Sequence, residues 1–141
     1  MAGAAPGRLA GLVPASPDGR VVLFADASAL RRVAEALRAV GDEPWTVPLA
    51  DPPAPAAAPL RRLVLRRSDG LARIAVAGDE VQISGAPEPL RRLALDLDLF
   101  AERGGGEGEG GPMRVDQEWP AAVLWLAADT VPLVVAGWHD D

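Results

Sequence analysis

A stretch of this chain returns 60 residues later without a gap. Laying residues 21–40 over 81–100 sets Val21 on Val81, Leu30-Arg31-Arg32 on Leu90-Arg91-Arg92, Ala34 on Ala94 and Leu37 on Leu97. That is six identities in twenty positions, where a composition this rich in Leu, Ala, Arg and Val gives roughly two by chance. The repeat limits the folds open to the chain, because what one copy forms locally the other should form as well.

Each copy reads as strand followed by helix. In the first, residues 8–13 and 20–25 are extended runs on either side of an Ala15-Ser16-Pro17-Asp18-Gly19 turn cluster, which predicts a β-hairpin. From Asp26 the period changes: Leu30, Val33, Ala34, Leu37 and Val40 recur on one helical face, with Asp26 able to cap the start and Gly41 the end. Residues 45–50 fit an edge strand, since Pro48 cannot donate to a ladder. Residues 51–59, with four prolines among alanines, predict an extended, stiff connector between a first unit (1–50) and a second (60–141). Beyond it, residues 60–67, 71–77 and 81–84 separated by turn residues predict a three-strand meander. Pro87 suits a first helical residue, and Leu90, Leu93, Ala94, Leu97 and Ala101 form the buried stripe of a second helix that Arg103 would close. The expected fold is α+β, an antiparallel sheet with two helices built from a duplicated ββα(β) unit, the two halves able to share one core.

The copies differ where function has room. Val22 and Phe24 stand where the second copy has Gln82 and Ser84, so the first strand should be covered on both faces and lie centrally. Glu35 and Ala39 become Leu95 and Leu99, flanked by Asp96 and Asp98. Apolar residues beyond the core stripe need a cover, and the expected cover is the other half of the chain, with a partner protein as the alternative.

Composition narrows the classes. All fourteen basic residues are arginine, and Lys, Asn, Tyr and Cys are absent; those residues mostly have A/T-rich codons, which points to a high-G+C bacterial genome. With no cysteine there is no disulfide frame, thiolate nucleophile or cysteine metal site. Residues 1–75 hold ten arginines against seven acids, and 76–141 four against thirteen. An acidic chain without a basic tract repels phosphate backbones, so a nucleic-acid partner is not expected. The apolar stretches are too short to span a bilayer and the N-terminus is a poor secretory signal, so a cytoplasmic protein with no membrane partner is expected.

Catalytic and cofactor motifs do not assemble. Gly106-Glu107-Gly108-Glu109-Gly110-Gly111 matches G-x-G-x-x-G, but it follows a helix and is acidic where phosphate would sit. The single histidine, His139, cannot build a Ser-His-Asp set or a common metal site without cysteines. Ser16, Ser28, Ser68 and Ser84 fall at turns, caps or strand edges. Asp96 and Asp98, two apart on a helix, point to different faces. The chain is therefore expected to be no enzyme and to carry no cofactor or metal, a carboxylate-dependent hydrolase being the least favoured reading.

Three later pieces, "VAGDEVQISGAPEPLRRLALDLDLFA", "MRVDQEWP" with its Trp119-Pro120 pair, and "WLAADTVPLVVA", occur in an order and spacing that resembles the immunity protein 32 family of bacterial polymorphic toxin systems. The resemblance covers residues 76–136, with Trp125-Leu126 and Thr130-Val131-Pro132-Leu133 matching an aromatic-Leu step before a Ser/Thr-x-Pro-Leu strand. The family pattern has histidines around the aromatic-Pro pair where this chain has Met113, Arg114, Ala121 and Ala122, so no role of theirs is carried over. The resemblance implies an immunity protein that binds and neutralises a cognate toxin by direct contact. The acidic second half suits a basic toxin. Candidate partner-binding residues are Leu95, Asp96, Asp98, Leu99, Glu102, Trp119 and Trp125. The alternative is a non-catalytic scaffold protein that associates with itself.

Overall fold

A computed structural model describes residues 9–13, 20–50, 58–102, 113–115, 126–127 and 130–137. The elements are β1 (Leu9–Val13), β2 (Val21–Ala25), α1 (Ala27–Ala39), β3 (Trp45–Pro48), β4 (Ala58–Leu60), β5 (Arg62–Arg67), β6 (Arg73–Ala77), β7 (Glu80–Gly85), α2 (Pro87–Glu102), β8 (Met113–Val115) and β9 (Leu133–Gly137). The α+β class holds. The strands form two mixed sheets, ordered β4-β1-β2-β9-β8 and β3-β5-β7-β6.

The helices form where apolar spacing placed them. Asp26 caps α1, its carboxylate accepting from the Ala29 amide at 2.8 Å, which satisfies one of the donors a helix start leaves over. Leu30, Val33, Ala34 and Leu37 are buried as expected. Pro87 opens α2, and Phe100 joins Leu90, Leu93, Ala94, Leu97 and Ala101 on its buried side. The Gly78-Asp79 turn joins β6 to β7 with Gly78 at φ 63°, a conformation costly for residues with a Cβ. Arg103 lies outside the described residues.

Two expectations are corrected. Residues 60–67, 71–77 and 81–84 do not form a meander: β7 lies between β5 and β6, parallel to β5 and antiparallel to β6. Residues 68–72 pass over the end of β7, and the Ser68 amide donates to the Gly85 carbonyl while the Ala86 amide donates to the Gly70 carbonyl, each at 2.8 Å. Gly85 allows this crossing, because a Cβ there would stand 3.0 Å from the Ala72 Cα. The end of the proline-rich connector is not outside the sheets either. Ala58–Leu60 pairs with β1 as an edge strand, a position where the missing amide of Pro59 costs no ladder bond. Pro48 also lies in an edge strand, β3, as its chemistry requires.

The repeat visible in the letters extends to most of the topology, in an exchanged form. Each half runs hairpin, helix and further strands, and each passes two of those strands to the other half's sheet, while β4 stays beside its own hairpin. β8 and β9 complete the sheet of β1 and β2, while β3 and β5 complete the sheet of β6 and β7. The parallel joints agree residue by residue. Val21 faces Leu133 and Leu23 faces Val135 in one sheet, and Val81 faces Leu63 and Ile83 faces Leu65 in the other. Matching outer edges agree too: the Ala50 amide donates to the Leu9 carbonyl at 2.9 Å, and the Ala127 amide to the Ala72 carbonyl at 2.7 Å. Along β6 the Thr130 hydroxyl takes a place in the ladder, accepting from the Ile74 amide at 2.6 Å beside the Val131 amide donating to the Ile74 carbonyl at 2.8 Å. This gives Thr130 of the Thr-x-Pro-Leu stretch a structural role. Residues 51–57 fall between β3 and β4, and so within the first topological unit.

The inner residues of both sheets and the buried sides of both helices form one core. The helices pack on each other, and the Arg38 Nη2 to Asp98 Oδ2 ion pair, 2.7 Å long, joins them. These two residues are equivalents under the 60-residue shift, so the pair lies where one half meets the same place in the other. The outer faces differ as expected. Val22 and Phe24 are half-buried on β2, the third of five strands, with Val134 and Ala136 beside them on β9. The corresponding face of the other sheet carries Gln82 beside buried Val64 and Ser84 beside exposed Arg66.

Candidate functional site

The outer face of α2 departs most from what its own repeat predicts. At 100° per residue, Glu88, Arg92, Leu95, Leu99 and Glu102 fall within roughly 80° of arc, centred opposite the buried stripe. Leu95 is 46 % exposed and Leu99 49 %. The expectation that the other half of the chain covers these leucines is overturned: the two helices meet along the side of α2 that carries Asp98, a quarter-turn from the stripe. In α1 the positions equivalent to 88, 92, 95 and 99 are Ser28, Arg32, Glu35 and Ala39, all exposed. The first copy thus shows the polar surface that solvent favours, and the second puts two leucines there.

The two aspartates flank the stripe on opposite sides and do not converge, as their spacing predicts. Asp98 points to α1 and holds Arg38. Asp96 turns the other way. Its side chain is 11 % exposed, its Oδ2 makes no hydrogen bond, and the Arg92 Nε stands 3.8 Å from that oxygen. Burial pushes the Asp96 carboxyl up from its ordinary value, and the Arg92 guanidinium pulls against that shift without cancelling it. The equivalent in α1 is Ala36, which is buried, so an aliphatic residue suits this setting.

Replacing Asp96 by Ala should therefore raise stability at neutral pH by about 1 kcal/mol, the scale of one buried, unsatisfied polar group less a weak ion pair. The sign with pH follows from the raised value. Between the unfolded and the higher folded carboxyl pKa the native state binds more protons, so Asp96 makes wild-type stability fall as pH rises through that window. The advantage of Asp96→Ala should shrink on acidification to the lower end of the window. Thermal melts of both proteins across that range check it, and an advantage independent of pH would show that the carboxylate charge is not the cause.

Glu102 is exposed at the end of the stripe. Trp119 and Trp125 lie outside the described residues. Trp45 is half-buried on β3 and packs against the core. Glu88 and Arg92 were missed in the sequence, although their spacing of seven and three residues from Leu95 was a readable signal.

Other surfaces offer less. A shallow depression of about 540 Å³ at the end of α1 mixes Arg32, Glu35 and Glu43 with Trp45, without a converging set of polar groups. A second, of about 480 Å³, is lined by Ser68, Asp69, Arg73 and Ser84. Among the described residues no group of three or more His, Cys, Asp or Glu could hold a metal ion, and no helix is long and apolar enough to cross a membrane. Comparison with protein-family models and with curated proteins finds no match for the chain.

Proposed function

We propose that this chain is a non-catalytic protein-binding module whose contact surface is the outer face of α2, and that it neutralises a cognate bacterial toxin by direct contact. One observation carries the binding part: Leu95 and Leu99 are exposed opposite the core at positions where the equivalent helix has Glu35 and Ala39. Paired exposed leucines on a rigid helix are the kind of apolar anchor that a partner groove accepts. The toxin part rests on the resemblance of residues 76–136 to immunity protein 32, and the acidic excess of that half of the chain suits a basic partner.

The test is to search the genes beside this one for a modular toxin and to co-express the two. Growth rescue and co-purification are expected, and both should be lost in Leu95→Asp/Leu99→Asp while its melting temperature stays near wild type. Rescue that survives the double substitution would move the contact surface elsewhere, and absence of rescue by the wild-type chain would overturn the toxin reading. The association rate should fall as salt rises, because screening weakens steering.

A further inference from the structure

We infer that the α2 stripe is self-complementary and that the chain forms a homodimer through it, two α2 helices lying antiparallel across a twofold axis beside residue 97. The order along the stripe is Glu88, Arg92, Leu95, Leu99, Glu102, with steps of four, three, four and three residues, the spacing of a helix-pairing seam. Turning one copy about an axis at position 97 sets Leu95 against Leu99 of the second copy, and Arg92 against Glu102. Each contact occurs twice, as an isologous interface requires. The leucines form an apolar centre and the ion pairs close both ends, the usual layout of a protein contact.

The choice of a second copy as occupant rests on this match of charge and order. The four residues are all exposed. The Arg92 side chain is 51 % exposed and its contact with Asp96, at 3.8 Å, is loose, which leaves guanidinium donors able to reach across. The equivalent stripe of α1, Ser28-Arg32-Glu35-Ala39, has no apolar centre, so the dimer forms through one helix per chain and stops at two copies. A contact of about four helical turns buries less than the ~1,200 Å² of a standard stable interface. The dimer should accordingly be weak, half-formed at roughly tens of micromolar.

This inference does not depend on the toxin reading. It shares the same face, however, so a dimer and a bound partner exclude each other, and self-pairing covers the leucines until a partner displaces the second copy.

Sedimentation equilibrium on the chain alone tests it. The wild type should shift from monomer to dimer with concentration, and Leu95→Asp/Leu99→Asp should remain monomeric. Glu102→Arg and Arg92→Glu should each weaken the dimer roughly tenfold or more by setting like charges across the axis. The reciprocal variant Arg92→Glu/Glu102→Arg should recover dimerisation, and mixing the two single variants should yield a heterodimer. Recovery is the decisive readout, since a fold damaged by either change would not be repaired by the other. A wild type that is monomeric up to about millimolar concentration, a dimer indifferent to both charge reversals, or a reciprocal variant no better than the single ones would each overturn the inference.

Discussion

Cut between Asp69 and Gly70 and produced as two polypeptides, the protein should show no cooperative melting in either half, and should regain it when the halves are mixed. The reason lies in the exchanged strands. Residues 1–69 hold β1, β2 and β4 of one sheet but only β3 and β5 of the other, and residues 70–141 hold the complementary strands. Each half thus lacks the parallel neighbour of its own hairpin, β9 beside β2 or β5 beside β7. Alone, either half leaves inner residues such as Val21, Leu23, Val81 and Ile83 short of partners, which should remove the whole cooperative stability of about 5–15 kcal/mol. The hydrogen bonds flanking the cut, from the Ser68 and Ala86 amides, can re-form in the complex. The pairing should also be selective. Where Arg38 meets Asp98 in the native protein, two first halves would set Arg38 against Arg38 and two second halves Asp98 against Asp98. Circular dichroism melts of the separate and mixed halves decide it; a cooperative transition in an isolated monomeric half would show that the sheets close without exchange.

Phe100→Ala should be the most damaging single truncation, costing about 3–5 kcal/mol, because the ring is 1 % exposed in a core where little can collapse into the space. The equivalent residue at the end of α1 is Val40, only partly buried at the margin of the core. Val40→Ala should cost roughly 1 kcal/mol or less. Chemical denaturation of the two variants measures the difference between the copies directly. Equal losses would mean that the ends of the two helices are packed alike.

The local structure of this protein and its two hairpins were legible in its sequence, and the pairing of strands distant along the chain was not. Apolar spacing identifies the buried sides of α1 and α2, Asp26 marks a helix start, and Pro48 assigns β3 to an edge. These are statements about a residue and neighbours within one or two turns. That β7 separates β5 from β6, or that β9 lies beside β2, depends on contacts between distant segments, and alternation of apolar residues reports which face is buried without naming the adjacent strand. The repeat held the missing information in part. It predicts that both hairpins behave alike, which they do, but a kept pair of strands and an exchanged pair would leave the same letters.

For the site the position is reversed. Leu95 and Leu99 stood out as soon as the copies were compared, yet the sequence could not say whether the other half covered them. The side on which α1 packs decides that, and it is set by the contact near Arg38 and Asp98. Asp96 was read as an acid on a different face from Asp98 and as a partner-binding candidate; its burial depends on packing that no local pattern encodes.

The parallel joint between β2 and β9 also bears on how the protein is made. Every strand of the β3-β5-β7-β6 sheet lies between residues 45 and 85, so that sheet can close while later residues are still being synthesised. The other sheet begins with the first hairpin, but its centre waits for Leu133–Gly137. During translation the apolar face of Val21 and Leu23 is thus complete only after more than a hundred further residues have emerged. Among the strands described, the hairpin that leaves the ribosome before the others is the last to be completed, and that interval is when its apolar face most needs protection from aggregation.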